Sequence, residues 1–272
     1  MDRQLVFPQP DGRSIACRVV GDGPPLVLIN GYSGAAADWD PTFLHALAEA
    51  RTVYCIDNAG VGASSPIVPD ALSIDAMASD VVALVHAASL DSIDLVGWSM
   101  GGYIAQRVAA RADVAINRLA LIATDPGARQ AVIAPSATWS RLTDVSGTPH
   151  EQAVRLLALL FPPAIAATLP PEVADLVAAA RAKLDPNVLA AQARAIHNWQ
   201  NRVAEAITNP PVTQIFHGAL DEVIPVTNAT LLAHRWRTQQ RRVFDDAGHA
   251  VMAQYPLDIA HAIVSGEVHA WT

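Results

Sequence analysis

The sequence predicts an α/β fold: a mostly parallel central sheet with helices on both faces and an inserted all-helical segment. Three observations predict it. Short, continuously apolar runs alternate with stretches of helical spacing up to about residue 125, and such runs are expected of strands buried on both faces. Strand-like runs then disappear from Pro126 to Asn209, where Ala- and Leu-rich helical stretches with several prolines take over. They resume after Asn209, so residues 1–125 and 210–272 are expected to share one core, with 126–209 as a helical cap.

Each element can be justified in turn. "SIACRVV" reads as a short strand, and "PPLVLIN" as a buried one ending at Asn30-Gly31. "DPTFLHALAEA" places Phe43, Leu44 and Leu47 on one helical face, and "RTVYCID" is the next apolar strand. In "SIDAMASDVVALVHAASL", Met77, Val81, Leu84 and Val85 recur at helical intervals behind Ser73 as N-cap. "SIDLVGW" and "INRLALIAT" are two more buried strands, with a helix beginning at Met100 between them. Within the insertion, Thr148-Pro149 with Glu151, and Asp185-Pro186, are helix starts that combine a capping side chain with proline at the first helical position. "PVTQIFHG" and "QRRVFD" then resume the sheet around helical "TNATLLAHRW", and "PLDIAHAIVSGEV" is the closing helix.

Composition narrows the function classes. The 272 residues are 51% hydrophobic and 16% charged, with a net charge of −8, and no Lys/Arg cluster is present to hold a nucleic acid. "MDRQLVFPQPDG" lacks the apolar segment of a secretory signal, so the mature chain is expected to begin there. The most apolar stretch, "LLALLFPPAIAATL", is broken by Pro162 and Pro163 and is too short for a bilayer, which takes about 20 residues. A cytoplasmic protein with no membrane partner is expected. Cys17 and Cys55 read as buried thiols, and no H-x-x-x-H, C-x-x-C or H-E-x-x-H spacing suggests a metal.

Chemistry concentrates at Gly97-Trp98-Ser99-Met100-Gly101. A serine between glycines two before and two after it, at a strand-to-helix junction, occupies a sharp turn that lifts its Oγ above the sheet. The helix starting at Met100 aims its unpaired N–H groups and positive dipole end at the space where an oxyanion would form.

Together with "LVLINGYSGAAADWD", "DNAGVGASS", "GALDEVIP" and "DAGHA", this "GWSMGGYIAQ" motif resembles the α/β-hydrolase superfamily over essentially the whole chain, particularly its capped esterase and lactonase branch. The resemblance implies Ser99 as nucleophile, His249 as general base and Asp221 as its orienting acid, with the Tyr32 and Met100 backbone N–H groups as oxyanion hole. It implies no metal or organic cofactor. Asp125, at the end of the preceding strand, is the alternative acid; Glu222 and Asp246 read as surface residues. Two departures from the family pattern stand out, Asn30 for the usual His and Ala59 for the usual Arg, and both are expected to change how loops are braced.

Other histidines have plainer readings. His45, His86, His234 and His261 fall in helices as solvated or partly buried rings, while His150 and His197 lie in the cap, within possible reach of substrate. Trp139, Phe161, His197 and Trp199 are the candidate substrate-binding residues, with Leu156 and Leu160 adding apolar bulk. Trp98 is expected beneath the elbow, and Trp39 in loop packing. A cap poor in Lys and Arg favours a small, mainly neutral ester or lactone as the partner. The alternatives are a same-triad enzyme of another class (carbon-carbon hydrolase, lyase or cofactor-free perhydrolase) and a non-catalytic ligand-binding protein on this scaffold. "GHAVMAQ" lacks the tryptophan after the histidine that would favour the carbon-carbon hydrolase, and Ser99 in place of Asp argues against dehalogenase and epoxide hydrolase.

Overall fold

The computed structural model describes residues 2–202 and 205–268. Eight strands form one sheet: β1 (Asp2–Pro8), β2 (Ser14–Val20), β3 (Pro25–Ile29), β4 (Thr52–Ile56), β5 (Ser92–Trp98), β6 (Ala115–Ile122), β7 (Val212–Gly218) and β8 (Arg241–Phe244), in the order β1-β2-β4-β3-β5-β6-β7-β8. From β4 across to β8 every pairing is parallel; β1 and β2 are antiparallel to their neighbours. The strand missing from the sequence reading is β1. As an edge strand it is mostly exposed and buries only Phe7, so it carries no apolar alternation.

Side chains of the buried strands divide between two cores. On β3, Val27 and Ile29 face one and Leu26 and Leu28 the other, the period-two alternation of a strand covered on both sides. The helices α1 (Pro41–Ala48), α2 (Ile74–Ala87) and α3 (Met100–Arg111) pack on these faces. Their starts are set locally: Asp40 Oδ1 accepts from Phe43 N at 2.8 Å, and Ser73 Oγ from Ala76 N at 3.0 Å. Each such cap is worth about 1 kcal/mol.

Between β6 and β7 lie α4 (Ser136–Thr143), α5 (Pro149–Leu160), α6 (Pro163–Ala166), α7 (Pro171–Arg181) and α8 (Pro186–Asn201). The capping box at Thr148 and Glu151 starts α5, and Asp185 caps α8. Helix α8 sends Ala191, Ala195, Ile196 and Trp199 into the main core, which ties these helices to the sheet. The end of α5 meets the loop after β8, where Ala250 N donates to Leu160 O at 2.9 Å. The helices α9 (Thr227–Trp236), α10 (Val251–Gln254) and α11 (Pro256–Ser265) complete the chain. Among the described residues, no helix is long and apolar enough to cross a membrane.

Cys17 and Cys55 are free and fully buried. Their register explains why they stay apart: Cys17 lies opposite Ile56 and Cys55 opposite Arg18, one step out of phase, so the two thiols enter different cores. Burial pushes both thiols up, Cys55 to about 12. Iodoacetamide at pH 8 is therefore expected to alkylate either thiol at least about 10³-fold more slowly than a free cysteine while the protein is folded, and both promptly in denaturant; mass spectrometry of tryptic peptides reads the result.

Candidate active site

Strand β5 ends in the turn that holds Ser99. There Ser99 adopts φ 55° and ψ −122°, a conformation L-residues avoid at a cost of about 1–3 kcal/mol. Contacts on both sides hold it there. Ser99 N donates to Ile122 O at 3.0 Å, and Ser99 O accepts from Thr124 Oγ1 at 2.8 Å and Gly102 N at 2.9 Å. A Cβ on Gly97 would run into the Gly101 carbonyl, and one on Gly101 into the Ile29 carbonyl, so the glycine spacing is a packing requirement of the turn.

Above the turn, His249 Nε2 lies 2.9 Å from Ser99 Oγ, and His249 Nδ1 lies 2.8 Å from Asp221 Oδ2. A carboxylate accepts, so Nδ1 carries the proton and Nε2 is free to accept from the serine hydroxyl. Asp221 Oδ1 takes the backbone N–H groups of Val223 and Ile224, both at 2.8 Å. Burial would raise the Asp221 pKa, but the charge of His249 and hydrogen bonds from His217 and His249 hold it well below the usual carboxylate range. The acid is thereby kept ionised and aimed at the imidazole. His249 is further held by Trp98, whose Nε1 donates to His249 O at 3.0 Å and whose ring lies 5.3 Å from the imidazole. Trp39 packs against Trp98 in turn.

The sequence reading passed over His217. Fully buried at the end of β7, it donates from Nε2 to Ile224 O at 2.8 Å, with the same nitrogen 3.3 Å from Asp221 Oδ2. It braces the loop that carries the acid. The only signal available was its position four residues before Asp221, at the end of a predicted strand.

Asp125 is not in reach of the imidazole by any hydrogen bond of the structure. Its Oδ2 accepts from Tyr103 Oη at 2.6 Å and its Oδ1 from Gly127 N at 2.7 Å. Glu222 is exposed and pairs with Arg141 at 3.5 Å, and Asp246 bonds Tyr255.

The Asn30–Ala35 loop runs beside the nucleophile, so close that a Cβ on Gly31 would lie 3.0 Å from Ser99 Cβ. Tyr32 follows on this loop and lines the same cavity as Ser99, and Met100 begins α3 directly after the nucleophile. Asn30, in place of the family's His, closes the loop on itself: Nδ2 donates to Ala35 O at 2.9 Å, and Oδ1 accepts from Gly31 N at 2.8 Å. Ser33 N donates to Gln192 Oε1 on α8 at 2.9 Å. Around Ala59, where the family pattern has Arg, the loop is held by the pattern's own Asp57, whose carboxylate takes Ala36 N at 2.6 Å and Ala63 N at 2.9 Å, and by its Ser64, whose Oγ donates to Asp57 O at 2.6 Å.

A cavity of ≈ 250 Å³ opens onto Ser99, lined by Tyr32, Tyr103, Ile133, Ser136, Thr138, Trp139, Leu142, Ile196, His197, Gln200, Val223 and Ile224 among others. Trp139 and His197 thus line it, His197 from an exposed position where Nε2 meets Asn201 Nδ2 at 3.2 Å. Phe161 and Trp199 do not line it. Phe161 follows the end of α5, where the chain is committed to the contact with the histidine loop. Trp199 turns into the core, stacked 5.5 Å from Tyr103 with the Arg202 guanidinium 3.9 Å from its ring centre. Leu156 and Leu160 are also absent from the lining. His150 pairs with Asp175 at an exposed site, and His45, His86, His234 and His261 are exposed on their helices. Among the described residues, no group of three or more His, Cys, Asp or Glu is arranged to hold a metal ion.

Known proteins share this architecture. The profile described as alpha/beta hydrolase fold matches residues 24–255. The chain is 28% identical over 249 residues to a pimeloyl-(acyl-carrier protein) methyl ester esterase of Aromatoleum aromaticum, covering 87% of this chain and 95% of that one. It is 32% identical over 113 residues to the protein of the same name from Pseudoalteromonas atlantica, where the match spans 42% of either chain. A crystal structure of a hydrolase from Pseudomonas aeruginosa superposes with a TM-score of 0.80 at 26% identity, covering 97% of this chain and 98% of that one. By the span of the profile match and by its fold, this chain belongs to the α/β-hydrolase family.

Proposed function

We propose that the protein is a serine hydrolase that cleaves a small, mainly neutral carboxylic ester or lactone through an acyl-enzyme. The observation that carries this reading is the continuous relay from Ser99 Oγ through His249 to Asp221, at 2.9 and 2.8 Å. In this mechanism His249 Nε2 takes the Ser99 proton as Oγ attacks the carbonyl carbon. The oxyanion that forms is held by the Tyr32 and Met100 N–H groups. His249 then gives the proton to the leaving alcohol, and a water molecule, deprotonated by the same nitrogen, releases the acid.

The neutral character of the substrate is supported by the cavity lining, which holds no Lys, Arg, Asp or Glu. In this reading residues 126–209 act as a cap whose helices α4 and α8 supply Trp139, Leu142, Ile196 and His197 to the cavity, over a core made by 1–125 and 210–272. The relatives named as methyl ester esterases are in keeping with ester cleavage. The test is stoichiometric labelling with a fluorophosphonate, mapped by mass spectrometry, together with turnover of p-nitrophenyl esters and lactones. Label on another residue, with none on Ser99, overturns the mechanism.

The cap should also set chain-length preference. Trp139→Ala and Leu142→Ala are expected to shift relative kcat/KM across a C2–C8 p-nitrophenyl ester series by about 10- to 200-fold, whereas Phe161→Ala leaves the profile in place. A flat response to Trp139→Ala would confine these cap residues to packing.

A further inference from the structure

Asp125 is buried, belongs to neither arm of the relay, and lies behind Tyr103 and Gln200, both of which line the cavity on Ser99. We propose that this end of the cavity recognises a neutral hydroxyl on the substrate, and that Asp125 sets its polarity by taking the Tyr103 proton. The proposal rests on the serine-hydrolase reading of the same cavity.

The argument is one of hydrogen-bond inventory. A phenol has one proton to give, and Tyr103 gives it to Asp125 Oδ2 at 2.6 Å. What Tyr103 retains is lone-pair capacity. Asp125 Oδ1 is occupied by Gly127 N at 2.7 Å, and the Asp125 carbonyl by Gln106 Nε2 at 2.8 Å, so the carboxylate is held in one orientation. Gln200 lines the same cavity and can accept through its amide oxygen. Trp199, stacked on Tyr103, keeps the ring from swinging. Asp125 has taken the phenol proton, so Tyr103 can meet a ligand only as an acceptor.

A ligand group placed against Tyr103 must bring a donor, or the phenol oxygen stays unpaired once water is displaced, which is costly. A cation would meet no ionised side chain among the lining residues. A hydroxyl brings that donor without a charge, and its own oxygen can be served by Ser136 or Thr138, which also line the cavity.

The test compares isosteric p-nitrophenyl esters: 2-hydroxy- against 2-methyl- and 3-hydroxy- against 3-methylbutanoate, each rate divided by its alkaline hydrolysis rate. The expected result is that kcat/KM favours the hydroxyl member of at least one pair by about 10- to 100-fold, and that Tyr103→Phe and Gln200→Met each remove most of that ratio. The proposal is overturned if both pairs favour the methyl member, or if the ratio survives both substitutions. Fluorophosphonate labelling separates the two readings: esters turned over without hydroxyl preference, with Ser99 labelled, defeat only this proposal, whereas failure to label Ser99 defeats the hydrolase mechanism. If Ser99 labels but neither ester turns over, their relative protection of Ser99 against labelling reads the same preference.

Discussion

Ser99→Ala is expected to lower kcat for a p-nitrophenyl ester by about 10⁶-fold, the scale seen when a triad nucleophile or base is removed, and to abolish fluorophosphonate labelling. The size follows from the site. The strained turn, the two glycines that allow it and the α3 N-terminus all serve to present one oxygen atom, and no other hydroxyl lies 2.9 Å from His249 Nε2 among the described residues. The variant should fold, because the small hydroxyl is lost without leaving a void. Relief of a side-chain contact at φ 55° does not remove the backbone strain, so little gain in melting temperature is expected. Residual turnover above about 1% of wild type, with the variant shown free of wild-type contamination, would move the nucleophile elsewhere.

Asp221→Asn is expected to cost about 10⁴-fold in kcat, the scale of replacing a triad carboxylate by its amide. An amide turned with NH₂ toward His249 forces Nδ1 to accept, which puts the proton on Nε2, where it blocks the serine. Asp125→Asn should cost far less on an ester with an unsubstituted acyl chain, since Asp125 bonds Tyr103 and Gly127 rather than the imidazole. If Asp125→Asn proved the more damaging of the two, the acid would have to be assigned to the end of β6.

Much of this arrangement was legible in the sequence because it rests on local physics. The elbow shows as glycines around a serine, and the helix starts at Ser73, Thr148 and Asp185 show as capping side chains. Long-range partners were harder to read. β1 was hidden by its exposure, and the inward turn of Trp199 depends on stacking against Tyr103 from a different element. His217 looked like any strand-end residue until β7 and the Asp221 loop were brought together. The consequences of Asn30 and Ala59 could be anticipated as altered bracing, but the contacts that hold these loops, those of Asp57 and Ser64 among them, are defined in three dimensions.

As the bond from Ser33 N to Gln192 Oε1 fastens the helices between β6 and β7 to the loop beside the nucleophile, so the bond from Ala250 N to Leu160 O fastens them beside the catalytic imidazole. A swing of the whole insertion as one door on its two end hinges would tear this fastening and drag His249 with it. The alignment of the proton relay is thereby coupled to the docking of these helices on the loop that carries His249.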